Sequence, residues 1–154
     1  GVYDGDFVSK RQNAYFSWNF PPKRNTLAKI VLKPGSGSDS ALLVEFTGNK
    51  ERCNHVYQYL RLTPGNYELS FEVMSKKLVA EQGLVWRVWC VEKREMLAES
   101  VAFKAPTPWT KHKVTFEVKS EDCATQLLQL ETKATAGLDT AVNGSIYFDT
   151  FAVK

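Results

Sequence analysis

Residues 56–75 read VYQYLRLTPGNYELSFEVMS, and this stretch decides the fold. Its second half alternates apolar and polar side chains with a period of two, which predicts a strand with one buried face. The first half places Leu60 and Leu62 on one face. Pro64 and Gly65 supply a turn between the halves, because proline presets φ and glycine tolerates positive φ. The stretch therefore predicts an antiparallel hairpin, or two consecutive strands of a sandwich.

Short runs of residues typical of β-strands lie on both sides of this stretch. They predict further strands near residues 27–33, 41–46, 84–91, 96–103, 113–118, 124–132 and 145–153. Turn signals rich in Gly, Pro and Ser separate them, and no long amphipathic helix pattern interrupts the series. Residues 76–82 would permit a helical turn, although a loop fits equally well. Nine or ten short strands predict an all-β fold, a β-sandwich of two antiparallel sheets.

Length, charge and hydropathy exclude several classes of protein. A chain of 154 residues predicts one domain over residues 1–154, and the abrupt start at Gly1 leads us to expect a piece cut from a longer protein. The net charge of +3 is mild, and no basic block interleaves with aromatics, which argues against nucleic acid as a partner. No apolar run approaches the roughly 20 residues of a membrane span, so direct membrane insertion is not expected.

Catalytic motifs are missing from the sequence. It contains no nucleophile elbow, phosphate loop or metal-protease helix. The two histidines, His55 and His112, lie in polar stretches where we expect them to be solvated. We therefore expect that the protein is not an enzyme.

The three cysteines, Cys53, Cys90 and Cys123, are too far apart for a CxxC zinc site. Cys90 ends one predicted strand and Cys123 begins another, so the two can lie side by side. The alternatives are a Cys90–Cys123 disulfide, in an exporting context only, and three inert thiols.

Sugar recognition needs aromatic faces that stack on pyranose rings and planar polar groups that reach hydroxyls. Alternation predicts that outward side chains on neighbouring strands form such a row. The candidate ligand-binding residues are Arg87, Trp89, Gln129, Glu131, Tyr57, Tyr59, Arg61 and, near a loop, Trp18. The competing interpretation places Trp89 in the core, or pairs Arg87 with Glu72 or Glu131 in a cross-strand ion pair.

Four motifs follow one another in a recognisable order. They are Asp4-Gly5-Asp6-Phe7 followed by Tyr-Phe-Ser-Trp, Gln58 followed by LTPGNYELSF at 62–71, Pro108-Trp109 followed by VTFEV at 114–118, and GSIYFD at 144–149. Their order resembles that of carbohydrate-binding modules with a β-jelly-roll, galactose-binding-like fold, over nearly the whole chain. The resemblance implies a jelly roll and a non-catalytic role in polysaccharide binding.

A narrower likeness concerns the cysteines. GLVW at 83–86 with Cys90, and Cys123 with QLLQL at 126–130, resemble the C-terminal jelly-roll modules of bacterial repeat proteins linked to exopolysaccharide export. That likeness favours the Cys90–Cys123 disulfide and an extracytoplasmic location, periplasmic or secreted.

The resemblance also implies that a structural calcium ion is possible, and we expect no other cofactor. Its candidate ligands are Asp4, Asp6 and Asp149, between the first and the last strand. Val8 stands where many such modules have a glutamate, and a hard cation wants six to eight oxygens. The competing interpretation makes all three aspartates local turn or hydrogen-bonding residues.

The sequence thus predicts a polysaccharide- or oligosaccharide-binding module that uses an outer sheet face. The alternative is a structural or protein-interaction domain, appended to a larger secreted or periplasmic protein, whose outer face docks a partner or a neighbouring domain.

Overall fold

Nine β-strands form within residues 1–9, 16–48, 52–134 and 140–154, which are the residues that the computed structural model describes. The strands are β1 Thr26–Leu32, β2 Ser40–Thr47, β3 Val56–Leu60, β4 Gly65–Ala80, β5 Leu84–Cys90, β6 Glu95–Glu99, β7 Thr107–Val118, β8 Gln126–Thr132 and β9 Val142–Val153. Within the same residues, no helix has the length and apolarity needed to cross a membrane.

The strands form two antiparallel sheets. The five-stranded sheet has the order β1-β2-β9-β4-β7, and the four-stranded sheet has the order β3-β8-β5-β6. Strands that neighbour each other in sequence are therefore mostly not neighbours in a sheet, because the chain passes repeatedly between the two layers. The predicted all-β sandwich is confirmed.

The stretch 56–75 takes the second of its two predicted forms. β3 lies in the four-stranded sheet, whereas β4 lies in the five-stranded sheet between β9 and β7. Leu62, predicted to share a strand face with Leu60, lies past the end of β3, where its backbone N–H donates to Gln126 Oε1 at 2.8 Å. The Pro-Gly turn thus carries the chain from one layer to the other and does not close a hairpin.

One segment is a strand where the sequence predicted a helical turn or a loop. β4 continues to Ala80, through the segment for which a helical turn or loop was predicted, because Leu78 and Ala80 are buried against the core. A bulge near Lys77 keeps β4 paired with β9. At this bulge Gly144 has φ 105°, and a Cβ there would collide with the carbonyl oxygen of Lys77, so the close approach requires glycine.

The inward faces of the sheets meet in an aromatic core. Trp86 from β5 packs edge-on against Phe148 and Phe151 of β9, with ring centroids 5.1 and 4.9 Å apart. Phe71 of β4 stacks on Phe151 at 5.3 Å. These contacts join the two layers, and Phe71 lies on the face of β4 whose alternation had predicted burial.

Trp18 belongs to this core, so its prediction as a ligand-binding residue is wrong. Its side chain is 2% exposed, and its ring lies 5.1 Å from the rings of both Phe7 and Phe151. Its indole Nε1–H donates to the Asp4 carbonyl oxygen at 3.1 Å, which satisfies the buried donor. Trp18 closes the sandwich and offers no surface to a ligand.

The predicted Cys90–Cys123 disulfide is present. It joins the end of β5 to the segment before β8, with Cα atoms 5.6 Å apart. Cys53 is a free, buried thiol, and burial raises its pKa to about 12. The disulfide therefore fastens two strands that are already neighbours in the four-stranded sheet.

Reduction of this disulfide should lower the free energy of unfolding by about 3–4 kcal/mol, because the bond closes a loop of 33 residues in the unfolded chain. The measurement is denaturant unfolding with and without a reductant. The double variant Cys90→Ala/Cys123→Ala is the control and should not respond to the reductant. An equal stability of the wild-type protein in both conditions would contradict the assignment.

Candidate functional site

The outward side chains of the four-stranded sheet form regular rows. β8 lies between β3 and β5, and the register places Tyr59 opposite Leu127 and Leu127 opposite Trp89. The next row contains Tyr57, Gln129 and Arg87. Side chains on the same face of adjacent strands contact each other, so the predicted candidates on these strands do come together.

These rows border an open groove, which we call the aromatic groove. Its volume is about 350 Å³, and its walls and rim include Tyr59, Trp89, Leu127, Gln129, Glu131, Arg52 and Arg94. Trp89 and Tyr59 lie on opposite sides of Leu127, two strands apart, which corresponds to roughly 10 Å between their backbones. The groove is therefore wide enough to admit a flat ring between or across the two aromatic side chains.

The Glu131 carboxylate is the centre of the polar contacts beneath the groove. It is only 3% exposed, and it accepts hydrogen bonds from Arg87 Nη1 at 2.9 Å and from Trp89 Nε1 at 2.6 Å. A third bond comes from Gln129 Nε2 at 3.0 Å. One buried carboxylate thus fixes three of the predicted site residues.

Arg87 supplies the charge that makes this burial possible. Its guanidinium also bonds Glu99 Oε2, from Nε at 2.9 Å and from Nη2 at 2.8 Å. Burial opposes the charged form, but the bonds to Glu131 and Glu99 outweigh it, so the pKa of Arg87 is raised. The cross-strand ion pair between Arg87 and Glu131 is confirmed, so both residues position their neighbours.

Trp89 differs from Trp86 on the same strand. Trp86 is fully buried, whereas Trp89 is partly exposed and lines the groove. Because Trp89 is held through the N–H at its edge, the face of its ring is not used by the bond to Glu131. This geometry gives a fixed aromatic surface that a ligand can reach.

Two of the predicted residues lie at or beyond the margin of the groove. Tyr57 packs edge-on against Tyr59, with ring centroids 5.6 Å apart, and supports it. Arg61 lies past the end of β3, and its guanidinium is 5.1 Å from the centre of the Phe16 ring. The alternation that predicted an outward Arg61 beside Tyr59 stops where the strand stops, so Arg61 does not line the groove.

Arg52 and Arg94 were missed by the sequence analysis. Arg52 precedes β3, and Arg94 lies in the turn between β5 and β6. Neither belongs to an alternating pattern, because both are in connections whose path depends on the assembled sheet. Periodicity gave no signal for them.

The five-stranded sheet carries a different polar cluster on its outer face. Lys33, just after β1, donates to Asp149 Oδ2 at 2.8 Å and to Glu72 Oε2 at 2.9 Å. Its ammonium nitrogen also lies 4.7 Å from the centre of the Trp109 ring. The hydrogen bond from Lys33 holds the pKa of Glu72 below its usual value, whereas burial raises that of Asp149. Trp109, partly exposed, is thus covered on one face by a cation.

Two of the candidate calcium ligands, Asp4 and Asp149, have partners within the protein. Asp149 Oδ1 is buried and has no hydrogen-bond partner among the residues that the structure describes, which favours a cation, but Lys33 already places a positive charge beside Oδ2. Asp4 Oδ1 instead accepts the backbone N–H groups of Val8 and Ser9, at 2.8 and 3.1 Å. Among the described side chains, the three aspartates do not form a group that could hold a metal. Calcium binding stays a prediction that these contacts do not support.

The histidines differ from their expected exposure. His55 is buried, and desolvation together with the charge of Lys23 lowers its pKa to about 4. His112 is partly buried and stacks on Phe71, with ring centroids 5.7 Å apart. Neither histidine lines the aromatic groove, so the groove contains no histidine to act as a base at neutral pH.

Solved structures of carbohydrate-binding modules share this fold. A CBM4 module is 13% identical, with a TM-score of 0.63 over 100% of this chain and 99% of that chain. The CBM22-1 xylan-binding domain of Xyn10C from Paenibacillus barcinonensis is 12% identical, with a TM-score of 0.58 over 86% and 82% of the two chains. The fold is that of a carbohydrate-binding-module-like β-sandwich.

The same fold also occurs outside binding modules. The Stig cyclase Fisc from Fischerella sp. TAU is 13% identical, with a TM-score of 0.57 over 98% of this chain and 81% of that chain. No family model matches the sequence, and no curated protein matches it. Similarity at this level of identity shows the fold alone, so function has to be inferred from the site.

Substitution of Lys33 by alanine should lower the free energy of unfolding by about 2–4 kcal/mol, since Asp149 and Glu72 would be left without their cation. The matched control is Lys113→Ala, which breaks an exposed pair with Glu68 at 3.6 Å and should cost at most about 1 kcal/mol. Urea unfolding of both variants measures the difference. Equal losses would show that the Lys33 cluster is only a surface pair.

Proposed function

We propose that the protein is a non-catalytic carbohydrate-binding module that binds a polysaccharide or oligosaccharide in the aromatic groove. The observation that carries this proposal is the arrangement of Trp89 and Tyr59 on either side of Leu127, with Trp89 fixed through its edge by Glu131. The apolar C–H face of a pyranose ring stacks on such a surface, and nearby polar groups orient its hydroxyls.

Gln129 is the polar group best placed to contact hydroxyls. Its amide nitrogen is committed to Glu131 Oε2, which sets the orientation of the amide. The amide oxygen then accepts no hydrogen bond from the described residues and lies at the groove, where a sugar hydroxyl can donate to it. Stacking therefore supplies affinity, and Gln129 supplies orientation.

The choice of face follows from how each tryptophan is held. On the five-stranded sheet, the cation of Lys33 occupies a face of the Trp109 ring. On the four-stranded sheet, Trp89 is bonded through its edge, so its face stays available to a sugar. An aromatic platform needs an open face, and this difference favours the aromatic groove.

Two further observations support the proposal. The structural neighbours include a xylan-binding domain and TmCBM61 in complex with β-1,4-galactotriose, the latter 16% identical with a TM-score of 0.55 over 91% of this chain and 90% of that chain. The Cys90–Cys123 disulfide is typical of an oxidising compartment, which supports a periplasmic or secreted location. A bacterial parent protein, associated with exopolysaccharide export and carrying this module as one domain, remains part of the proposal.

The alternative is a structural or protein-interaction domain. A docking face for another protein is expected to be apolar at its centre. Beside the row of Tyr59, Leu127 and Trp89, the four-stranded face also holds a buried carboxylate, a guanidinium and an amide in one hydrogen-bonded set. That polar content favours a hydroxyl-rich ligand over a protein partner.

Substitution of Trp89 by alanine should weaken glycan binding at least roughly thirtyfold, as expected for truncation of a tryptophan that contributes about 2 kcal/mol. The measurement is affinity gel electrophoresis against a panel of soluble polysaccharides. The substitution does not change the net charge of the protein, so its mobility in a gel without polysaccharide should stay the same. Trp89→Phe should retain part of the binding, since it keeps a ring but loses the bond to Glu131.

The matched control for this prediction is Tyr147→Ala, which removes a partly exposed aromatic ring from the five-stranded sheet. It should bind like the wild-type protein. If Tyr147→Ala loses binding and Trp89→Ala keeps it, the assigned face is wrong although the module binds glycans. If no polysaccharide retards the wild-type protein, the interaction-domain alternative is favoured.

A further inference from the structure

We propose that the aromatic groove selects acidic glycans, in which uronic acid residues carry carboxylates, over neutral ones. This inference rests on the proposed function and specifies its ligand class. It is carried by Arg52 and Arg94, two exposed arginines that line the groove and have no ion-pair partner among the described residues.

The other charges near the groove cancel. Glu131 is neutralised by Arg87 at 2.9 Å. Glu99 is shared between Arg87 at 2.8 Å and Lys133 at 3.2 Å. These two carboxylates and two cations sum to zero, so among the described residues that line the groove, the remaining charges are those of Arg52 and Arg94.

The acidic residues in the turn of Arg94 do not line the groove. Glu92 Oε1 accepts the backbone N–H of Thr125 at 3.1 Å, and neither Glu92 nor Glu95 is among the lining residues. Near Arg52, Lys23 adds a further positive charge, because its ammonium group donates to the carbonyl oxygen of Arg52. Apart from Glu131, which Arg87 neutralises, the charged side chains described at the groove are therefore cationic.

The two arginines lie at opposite ends of the groove. Arg94 follows Cys90, whose register partner is Gln126 at the start of β8. Arg52 precedes Cys53, whose carbonyl oxygen accepts the backbone N–H of Thr132 at the end of β8. The groove residues of β8, from 127 to 131, span roughly 13 Å at about 3.3 Å per residue. A saccharide lying along β8 would meet an arginine at each end and the aromatic pair between them.

Arginine at these positions matches a carboxylate better than a hydroxyl. The guanidinium fork donates two parallel hydrogen bonds to a carboxylate, and the charges add to their strength. A uronic acid ring presents an apolar face for Trp89 and a carboxylate at its edge for the rim. Two rim charges around an apolar floor are too few for nucleic acid, which is held through many phosphate contacts.

The test compares acidic polysaccharides with their own uncharged forms. Polygalacturonate, alginate and hyaluronan are each paired with the carboxyl-reduced polymer, which keeps the backbone and lacks the charge. Isothermal titration calorimetry measures both members of each pair at two salt concentrations. We expect at least one acidic polymer to bind about tenfold or more tightly than its reduced form, with weaker binding at high salt.

Variants locate the effect at the rim. Arg52→Gln and Arg94→Gln should each weaken binding of the acidic polymer about two- to fivefold, the range expected for exposed ion pairs, and should weaken binding of the reduced form less. The matched control is Lys29→Gln, which removes the same charge from an exposed position on the five-stranded sheet and should have no effect. Circular dichroism confirms that each variant is folded.

The outcomes separate this inference from the proposed function. Equal binding of acidic and reduced polymers, lost in Trp89→Ala, would overturn the acidic selectivity and leave the binding module intact. If single-stranded DNA binds as tightly as the acidic polymer, the protein attracts polyanions in general, and the proposed selectivity for acidic glycans is overturned. If the acidic polymer still binds Trp89→Ala, the assignment of the aromatic groove as the binding site is overturned. If no polymer binds the wild-type protein, both proposals are overturned.

Discussion

The buried Glu131 carboxylate is the interaction on which the outer face of the four-stranded sheet depends. A carboxylate taken out of water is costly unless it is paired and hydrogen-bonded, and Glu131 obtains both from Arg87, Trp89 and Gln129. Because these partners come from β5 and from β8 itself, the contact fixes side chains across the strand pair at the centre of the sheet. A site assembled on rigid strands and supported in this way holds its recognition groups in one geometry, which lowers the entropic cost of binding a flexible saccharide.

The outer faces of the two sheets each place an ion cluster beside a tryptophan, but the tryptophan ring is covered on one face and open on the other. Each has a buried or half-buried ion cluster next to a tryptophan. Around Lys33 the cation lies over the face of Trp109, so the cluster and the ring stabilise each other. Around Glu131 the acceptor takes the edge of Trp89, so the ring stays open. Trp109 also donates its indole N–H to the Pro34 carbonyl oxygen at 3.1 Å, so both indoles are held at the edge, and the cation on the face of Trp109 is what separates the structural cluster from the candidate binding surface.

Alternation in the sequence predicted the strands well, because burial of one face imposes a period of two whatever the wider fold. It also put Arg87 and Trp89 on the same face of one strand, although it left open whether Trp89 is in the core. Connections were less predictable. The Pro-Gly turn joins different sheets, Trp18 lies in a non-periodic segment that packs into the core, and Arg52 and Arg94 reach the groove from loops. In each case the outcome depends on the assembled layers, which local patterns do not encode.

For the Cys90–Cys123 bond, the residues left a disulfide and free thiols as alternatives, and the resemblance favoured the disulfide. For the ion cluster of Lys33, the resemblance pointed to a different cation from the one found in the structure. The resemblance implied Asp149 as a calcium ligand, and Lys33, far away in sequence, places a positive charge beside this carboxylate. A carboxylate in a family-like motif does not by itself identify which cation neutralises it.

The central claim, that glycans bind on the four-stranded face, is tested most directly by NMR of the tryptophan indole groups. The chain has four tryptophans, and their indole N–H signals report on the core, the groove and the five-stranded face separately. Titration with an oligosaccharide cut from the bound polysaccharide should shift the signal of Trp89 most, and leave those of Trp18, Trp86 and Trp109 nearly unchanged. A large shift of Trp109 with an unmoved Trp89 would contradict the account and place the binding site on the other sheet.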